Sequence, residues 1–164
     1  MKKQCMVLLV ENNAGVLARI SSLFVQRGFN IDSLTVSPTE IESVSRITIE
    51  TTGDLKTINQ IIKQTAKLNE SKLVFSVEPE FSLIREILLV KFASDNKNAD
   101  TLAKIIADYG ARIIDNTGGC FVVELSDTPH RIDDFLDEVK GLELVEMCRS
   151  GAIAMERGSV AYDI

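Results

Sequence analysis

The 164-residue chain has no tryptophan, one histidine, three prolines and three cysteines, and only 5% of it is aromatic. Each scarcity excludes something. One histidine and no Cys-x-x-Cys pair leave no metal-ligand spacing. No His-Glu-x-x-His, Gly-x-Ser-x-Gly or phosphate-binding loop occurs either. Cys5, Cys120 and Cys148 are odd in number and far apart, so no disulfide framework follows. Each falls in a predicted strand, where a small buried thiol is the expectation. Long apolar runs are also missing. The stretch from Cys5 to Val10 ends at Glu11, far short of the about 20 residues of a membrane-spanning helix. Two lysines ahead of that stretch faintly mimic a secretion signal, but no small-residue cleavage site follows. The stretch reads as the first strand of a cytoplasmic protein. No basic run exceeds Lys2-Lys3 and the net charge is −6, which disfavours binding to phosphate backbones.

With 45% apolar residues the chain has enough material for a core, in one domain or two small ones. Met6–Val10 is a strand-length apolar run, and Glu11–Gly15 is turn chemistry. Val16, Ile20, Leu23 and Phe24 fall on one helical face, which Gly28 closes. Strands are expected from Ile31 to Val36, ended by Pro38, and from Ser43 to Thr51. Asp54 caps a second helix with its stripe at Leu55, Ile58, Ile61, Ile62, Thr65 and Leu68. Leu73, Phe75 and Val77 alternate as a fourth strand.

After a Glu78-Pro79-Glu80 linker the same order restarts. Ile87–Phe92 reads as a strand, and Leu102, Ile105, Ile106 and Tyr109 as a helix face closed by Gly110. Ala111–Ile114 is a strand, Asn116–Gly119 a tight turn and Cys120–Leu125 a strand. Thr128-Pro129 opens a helix whose stripe is Ile132, Phe135, Leu136 and Val139, and Leu142–Cys148 closes the unit. The fold class is therefore α+β: two tandem ferredoxin-like βαββαβ units at a period of about 80 residues. Four short strands leave open edges, and pairing with another copy would remove them, so a homo-oligomer, most simply a two-fold dimer, is expected.

Catalysis finds little support. His130 sits in the first turn of a helix with no partner placed by the sequence, and Asp133-Asp134 and Asp137-Glu138 lie on a polar helix face. The turn Asn12-Asn13-Ala14-Gly15 is different. It joins a strand to a helix N-terminus, where free N–H groups and the helix dipole favour a carboxylate. Gly15 admits close approach, and Asn12 offers both donors and an acceptor. Across the next turn, an amide at Asn30 beside Ile31 would suit an ammonium and a small aliphatic side chain. Asn and Gly are also the commonest turn residues, so plain turn chemistry stands beside this reading. The corresponding turn of the second unit, Ala93–Asn98, has no glycine, which makes the first unit the one to bind a ligand.

Val10–Arg19, Arg27–Val36 and Ser45–Ile49 resemble the ACT-domain signature of the acetolactate synthase small-subunit family. The resemblance continues through Arg85–Lys91, Gly110–Asp115 and Arg149–Gly158, and so covers nearly the whole chain. Asn116–Cys120 and the acid of Met155-Glu156 depart from that pattern. The resemblance implies an ACT domain over 1–78 that binds an amino-acid effector, and a C-terminal ferredoxin-like domain over 84–158 that contacts a catalytic subunit. It implies a regulatory role: activation of a thiamine-diphosphate-dependent large subunit and feedback inhibition by valine or another branched-chain amino acid. By position Asn12, Gly15, Val16, Asn30 and Ile31 match the effector contacts, at sites lying between ACT domains of two protomers. Arg149, Gly151 and Arg157 fall in the segment expected to touch the partner. No cofactor is expected on this chain, and thiamine diphosphate, magnesium and FAD belong on the catalytic subunit. The readings weighed against this are a stand-alone amino-acid-sensing ACT protein for another partner, a transcription factor, for which no basic patch exists, and a free-standing enzyme on the same scaffold.

Overall fold

In the computed structural model, residues 2–94 and 98–158 are described. They divide into two compact units, one of residues up to Ile84 together with the segment from Ala152, the other Arg85–Gly151.

The first unit holds β1 (Lys2–Glu11), α1 (Val16–Gln26), β2 (Ser33–Pro38), β3 (Val44–Gly53), α2 (Leu55–Thr65) and β4 (Ser71–Ser76). The sheet order is β2-β3-β1-β4, all antiparallel. Alternation along the strands sends Met6, Leu8, Val10, Ile47 and Ile49 to one face. There Val16, Ile20 and Phe24 of α1 and Ile58 and Ile61 of α2 close over them. Spacing of three and four residues places those helical side chains on one stripe, which is why α1 forms against this sheet. Gly28 takes a left-handed φ of 71° and ends α1, with the Phe29 N–H donating to the Phe24 carbonyl. Asp54 caps α2 by accepting from the Thr57 N–H at 2.9 Å, as its place before the stripe leads one to expect.

The linker is a single 3₁₀ turn, Pro79–Phe81. In the second unit β5 (Ser82–Ala93, of which Ser82–Ile84 still belong to the first unit), α3 (Ala99–Tyr109), β6 (Arg112–Thr117), β7 (Cys120–Asp127), α4 (Pro129–Glu138) and β8 (Leu144–Arg149) repeat the plan in the order β6-β7-β5-β8. Leu88, Val90, Phe92, Val123 and Leu125 pack under Leu102, Ile105, Ile132 and Phe135. The βαββαβ order read from the sequence is thus the observed one in both units.

Three details differ from the expectation. The tight turn is Gly118-Gly119 alone, both at positive φ, because β6 runs on through Asn116 and Thr117 to pair with Phe121 and Cys120. Cys148 is exposed, since it pairs with Leu89 on the sheet face that the helices leave bare. And a ninth strand, β9 (Ile153–Glu156), belongs with the first unit. Ala154 is buried against Val7 and Val77, and the Arg46 guanidinium donates to the Ala154 carbonyl. A four-residue strand has no periodicity of its own to announce it.

Candidate functional site

The turn after β1 is shaped by its backbone. The Asn12 N–H donates to the Ser43 carbonyl at 2.8 Å and its side-chain amide to the Glu42 carbonyl at 3.2 Å, so the side-chain oxygen of Asn12 remains an acceptor. Asn13 turns its amide onto the Glu11 carboxylate at 3.0 Å. Gly15 caps α1 with a φ of 89°, a conformation that strains any residue with a Cβ, and no heavy atom lies within 4 Å of where a Cβ would stand.

A glycine cap supplies no acceptor, and no acidic residue occupies the first turn of α1. Two other helices differ, since Asp54 caps α2 and Thr128 caps α4 through the Arg131 N–H, while α3, which also has no side-chain cap bond, carries Asp100 in its first turn. The N-terminus of α1 therefore keeps donors and positive dipole charge turned toward an open, glycine-lined surface. Val16 itself is buried in the core and fixes the start of the helix; its N–H points back to the Asn13 carbonyl at 3.4 Å.

Asn30 and Ile31 lie just ahead of β2, not within it. The Asn30 side chain is exposed and donates to Asp32 at 3.0 Å, which leaves its amide oxygen as the group able to meet an ammonium. The Asn30 carbonyl accepts from the buried Thr51 hydroxyl at 2.6 Å, which pins the segment to β3. Ile31 is half-buried against the core.

These two groups of residues are not brought together within one chain. Asn12 is tied to Ser43, beside the Glu11–Val44 end of the sheet. The Asp32 N–H is tied to the Glu50 carbonyl, and Ser33 pairs with Glu50, which in turn pairs with Cys5. Cys5 and Glu11 are six steps apart on β1, about 20 Å at the usual strand rise.

Of the residues expected to face a partner, Arg149 is engaged within its own unit. Its guanidinium donates to both oxygens of Glu86, whose side chain is only 3% exposed, and to Asp133 at 2.7 Å. The Glu86 hydrogen bond, ahead of the Asp133 one, drives the Arg149 pKa upward. So Asp133, read as merely solvated, is an ion-pair partner, as is Asp137 with Lys140, and Glu138 accepts from the Tyr109 hydroxyl at 2.9 Å. Gly151 has a φ of 80°, and the Arg157 N–H donates to the Phe81 carbonyl while its side chain is exposed. His130 does meet a carboxylate, Asp134 at 2.9 Å, through helical spacing, but both are exposed. Among the described residues no three of the histidines, cysteines and acids are grouped to hold a metal ion, and no helix is long and apolar enough to cross a membrane. The turn of the second unit that lacks glycine includes Asp95–Lys97, which lie outside the described residues.

Comparison with known proteins agrees across the whole chain. Residues 6–71 match the family described as AHAS small subunit-like ACT domain, and residues 85–158 match small subunit of acetolactate synthase. The acetolactate synthase small subunit of Buchnera aphidicola from Schizaphis graminum is 37% identical over 157 residues, covering 95% of this chain and 99% of the relative. The isozyme 3 small subunit of Escherichia coli K12 is also 37% identical, over 95% of this chain and 96% of its own. The crystal structure of the Thermotoga maritima acetolactate synthase small subunit superposes with a TM-score of 0.86 at 31% identity, over 98% of this chain and all of that one. With a ferredoxin-like ACT unit leading, a second unit of the same plan following, and relatives matched end to end, this chain belongs to the acetolactate synthase small subunits, the regulatory and non-catalytic members of that enzyme.

Proposed function

We propose that this chain is a feedback sensor for valine or a related branched-chain amino acid, and that it acts as a homodimer on the thiamine-diphosphate-dependent large subunit. The observation that carries this reading is the glycine-capped start of α1. It offers N–H donors to an α-carboxylate at a place where no side chain caps the helix. The Asn30 amide oxygen supplies the complementary acceptor for an α-ammonium, and Ile31 an apolar wall.

The separation of these groups along the sheet supports a two-fold dimer. β2 is an edge strand, with Leu34 and Val36 exposed along it. Its Pro38 end pairs with Ser45, next to the Asn12 turn, and its Ser33 end adjoins Asn30 and Ile31. A two-fold axis through the middle of β2 exchanges those ends. Asn12, Gly15 and Val16 of one protomer then approach Asn30 and Ile31 of its partner, and two open edges disappear at once. On this reading residues 1–78 form the effector domain and residues 84–158 the domain that contacts the catalytic subunit, with Gly151 and Arg157 in that contact. Thiamine diphosphate, magnesium and FAD reside on the large subunit, in the cytoplasm.

An effector shifts activity only through unequal affinity for two states, so binding of the large subunit must change effector affinity by the same factor. The test is inhibition of the reconstituted enzyme by valine, leucine and isoleucine, with sedimentation of the small subunit alone. Gly15→Asp and Asn30→Ala are expected to abolish inhibition while activation remains. A monomer at micromolar concentration, or full inhibition in Gly15→Asp, would refute the shared site.

A further inference from the structure

The first unit carries a second place where charges and a cavity coincide, on the sheet face turned away from the helices. Glu50 follows Ile49 on β3, and because Ile49 enters the core, Glu50 is directed to the opposite face. It is 4% exposed there. Acidic side chains are buried to that degree almost only when fully paired, yet Glu50 Oε2 is shielded from solvent and accepts no hydrogen bond. Lys3 Nζ stands 3.1 Å away, at ion-pair range but without hydrogen-bond geometry, on a side chain that is 45% exposed.

Both side chains line a cavity of about 300 Å³ whose walls include Cys5, Val77 and Ile84 and whose rim includes Glu78. Burial, with Glu50 adding to it, pushes the Cys5 thiol up to about 12, so Cys5 is an uncharged wall at neutral pH. Val77 is buried and Ile84 half-buried, an apolar surface of strand width. The size is at the low end for small-molecule sites, suited to a ligand of a few heavy atoms rather than a nucleotide.

We propose that this cavity is a second ligand site, and that it takes a small aliphatic α-amino acid as the zwitterion. Lys3 Nζ stands beside Glu50 Oε2 and, on binding, swings off it to the ligand carboxylate, so that the ligand ammonium takes its place and supplies the donor that Oε2 lacks. Val77 and Ile84 receive the side chain. Two opposite charges about 3 Å apart match the two ends of an amino-acid backbone better than they match a plain amine or a plain acid. The site is separate from the Gly15 turn, which lies at the other end of β1, and does not depend on that turn binding anything.

Isothermal titration of the full chain in the Gly15→Asp background reads this cavity alone. The probes are alanine, valine and leucine, with isobutylamine and isobutyrate as truncated forms. Saturable binding of at least one of the amino acids is expected to survive Gly15→Asp, and to weaken tenfold or more in Glu50→Gln and in Lys3→Met. Both truncated probes should bind at least tenfold more weakly. Lys3 sits at the exposed rim, so Lys3→Met reads the same contact should Glu50→Gln not fold. Loss of all binding in folded Gly15→Asp, affinity unchanged in both variants, or isobutylamine binding as tightly as valine would each overturn the proposal.

Discussion

Replacing Gly15 separates backbone strain from the proposed ligand contact, because the two effects act on different measurements. At a φ of 89° an L-residue is strained by about 1–2 kcal/mol. Removing glycine also narrows the unfolded ensemble, which returns about 0.4–1 kcal/mol. Gly15→Ala should therefore cost about 1 kcal/mol, with no added clash, since nothing lies within 4 Å of the new Cβ. Gly15→Asn should cost less, because asparagine tolerates the left-handed region. For a unit of this size, about 1 kcal/mol is a shift of about 4–8 °C in Tm. Valine at about 100 times its Kd would add about 2.7 kcal/mol to the wild type. Thermal melts with and without valine then give two numbers per variant. The apo Tm values should rank wild type, Asn, Ala. Measured in the Glu50→Gln background, which removes the second site proposed above, the valine-induced rise should be lost in both variants alike, because the Cβ fills the space the carboxylate needs. A Gly15→Asn protein that keeps the whole valine-induced rise would show that no ligand approaches this turn, whatever its apo stability.

The remaining expectations concern groups whose partners the structure names. Arg149→Met strands the buried Glu86 carboxylate and should cost about 3–5 kcal/mol in urea unfolding, whereas Glu86→Leu combined with Arg149→Met should recover most of that loss; a loss well under 1 kcal/mol would mean that the pair is solvated. The Thr57 hydrogen bonds hold the Asp54 carboxyl below its ordinary pKa. Its cap thus stabilises the fold above the unfolded-state pKa and is lost as pH falls through the lower folded value. Asp54→Ala should be less stable than wild type at pH 7, with the gap closing toward pH 2; a gap constant across that range would refute the cap. In a brief alkylation at pH 8 followed by mass spectrometry, Cys148 should be labelled well before Cys5, whose thiol is buried and held neutral with a pKa of about 12. Equal labelling of the two would contradict the burial of Cys5.

How far the sequence foretells this molecule depends on whether a feature is local. The stripes Val16-Ile20-Phe24 and Ile132-Phe135, the caps at Asp54 and Thr128, and the stops at Gly28 and Gly110 are all encoded within a turn or two of chain, and each stands where the pattern put it. Cys148 was misjudged because strand membership does not say which face the helices cover, and that is fixed by register with Leu89 on another strand. The engagement of Arg149 with Glu86 joins residues 63 positions apart, a distance over which no periodicity reports. At the turn after β1 and the Asn30 segment the residue types were legible, but their spacing was not. Asn12 and Asn30 look close in the sequence, and only the pairing of β2 with β3 reveals that the sheet holds them at opposite ends. Glu50 was invisible for the same reason: a glutamate in a strand reads as solvent-facing until its neighbours on other strands are known.

The fate of β9 shows that family boundaries and folding boundaries need not agree. The second family match runs to residue 158, yet from Ala152 onward the chain belongs physically to the first unit. Ala154 covers Val7 and Val77, the Ala152 N–H donates to Ser33 Oγ, and Arg46 reaches the Ala154 carbonyl. Ser33 is the residue that opens β2, two positions after Ile31. Just upstream, Ser150 is held in the second unit by paired hydrogen bonds with Ile87, so Gly151, in a left-handed conformation, is the single residue between two firmly held segments. A segment so placed cannot be cut away as an inert tail. Removing it uncovers the outer face of the first unit's own sheet and deletes the contact at the start of β2. The stability of the first unit and the geometry of Asn30 and Ile31 are for that reason partly written in the last residues of the second family match.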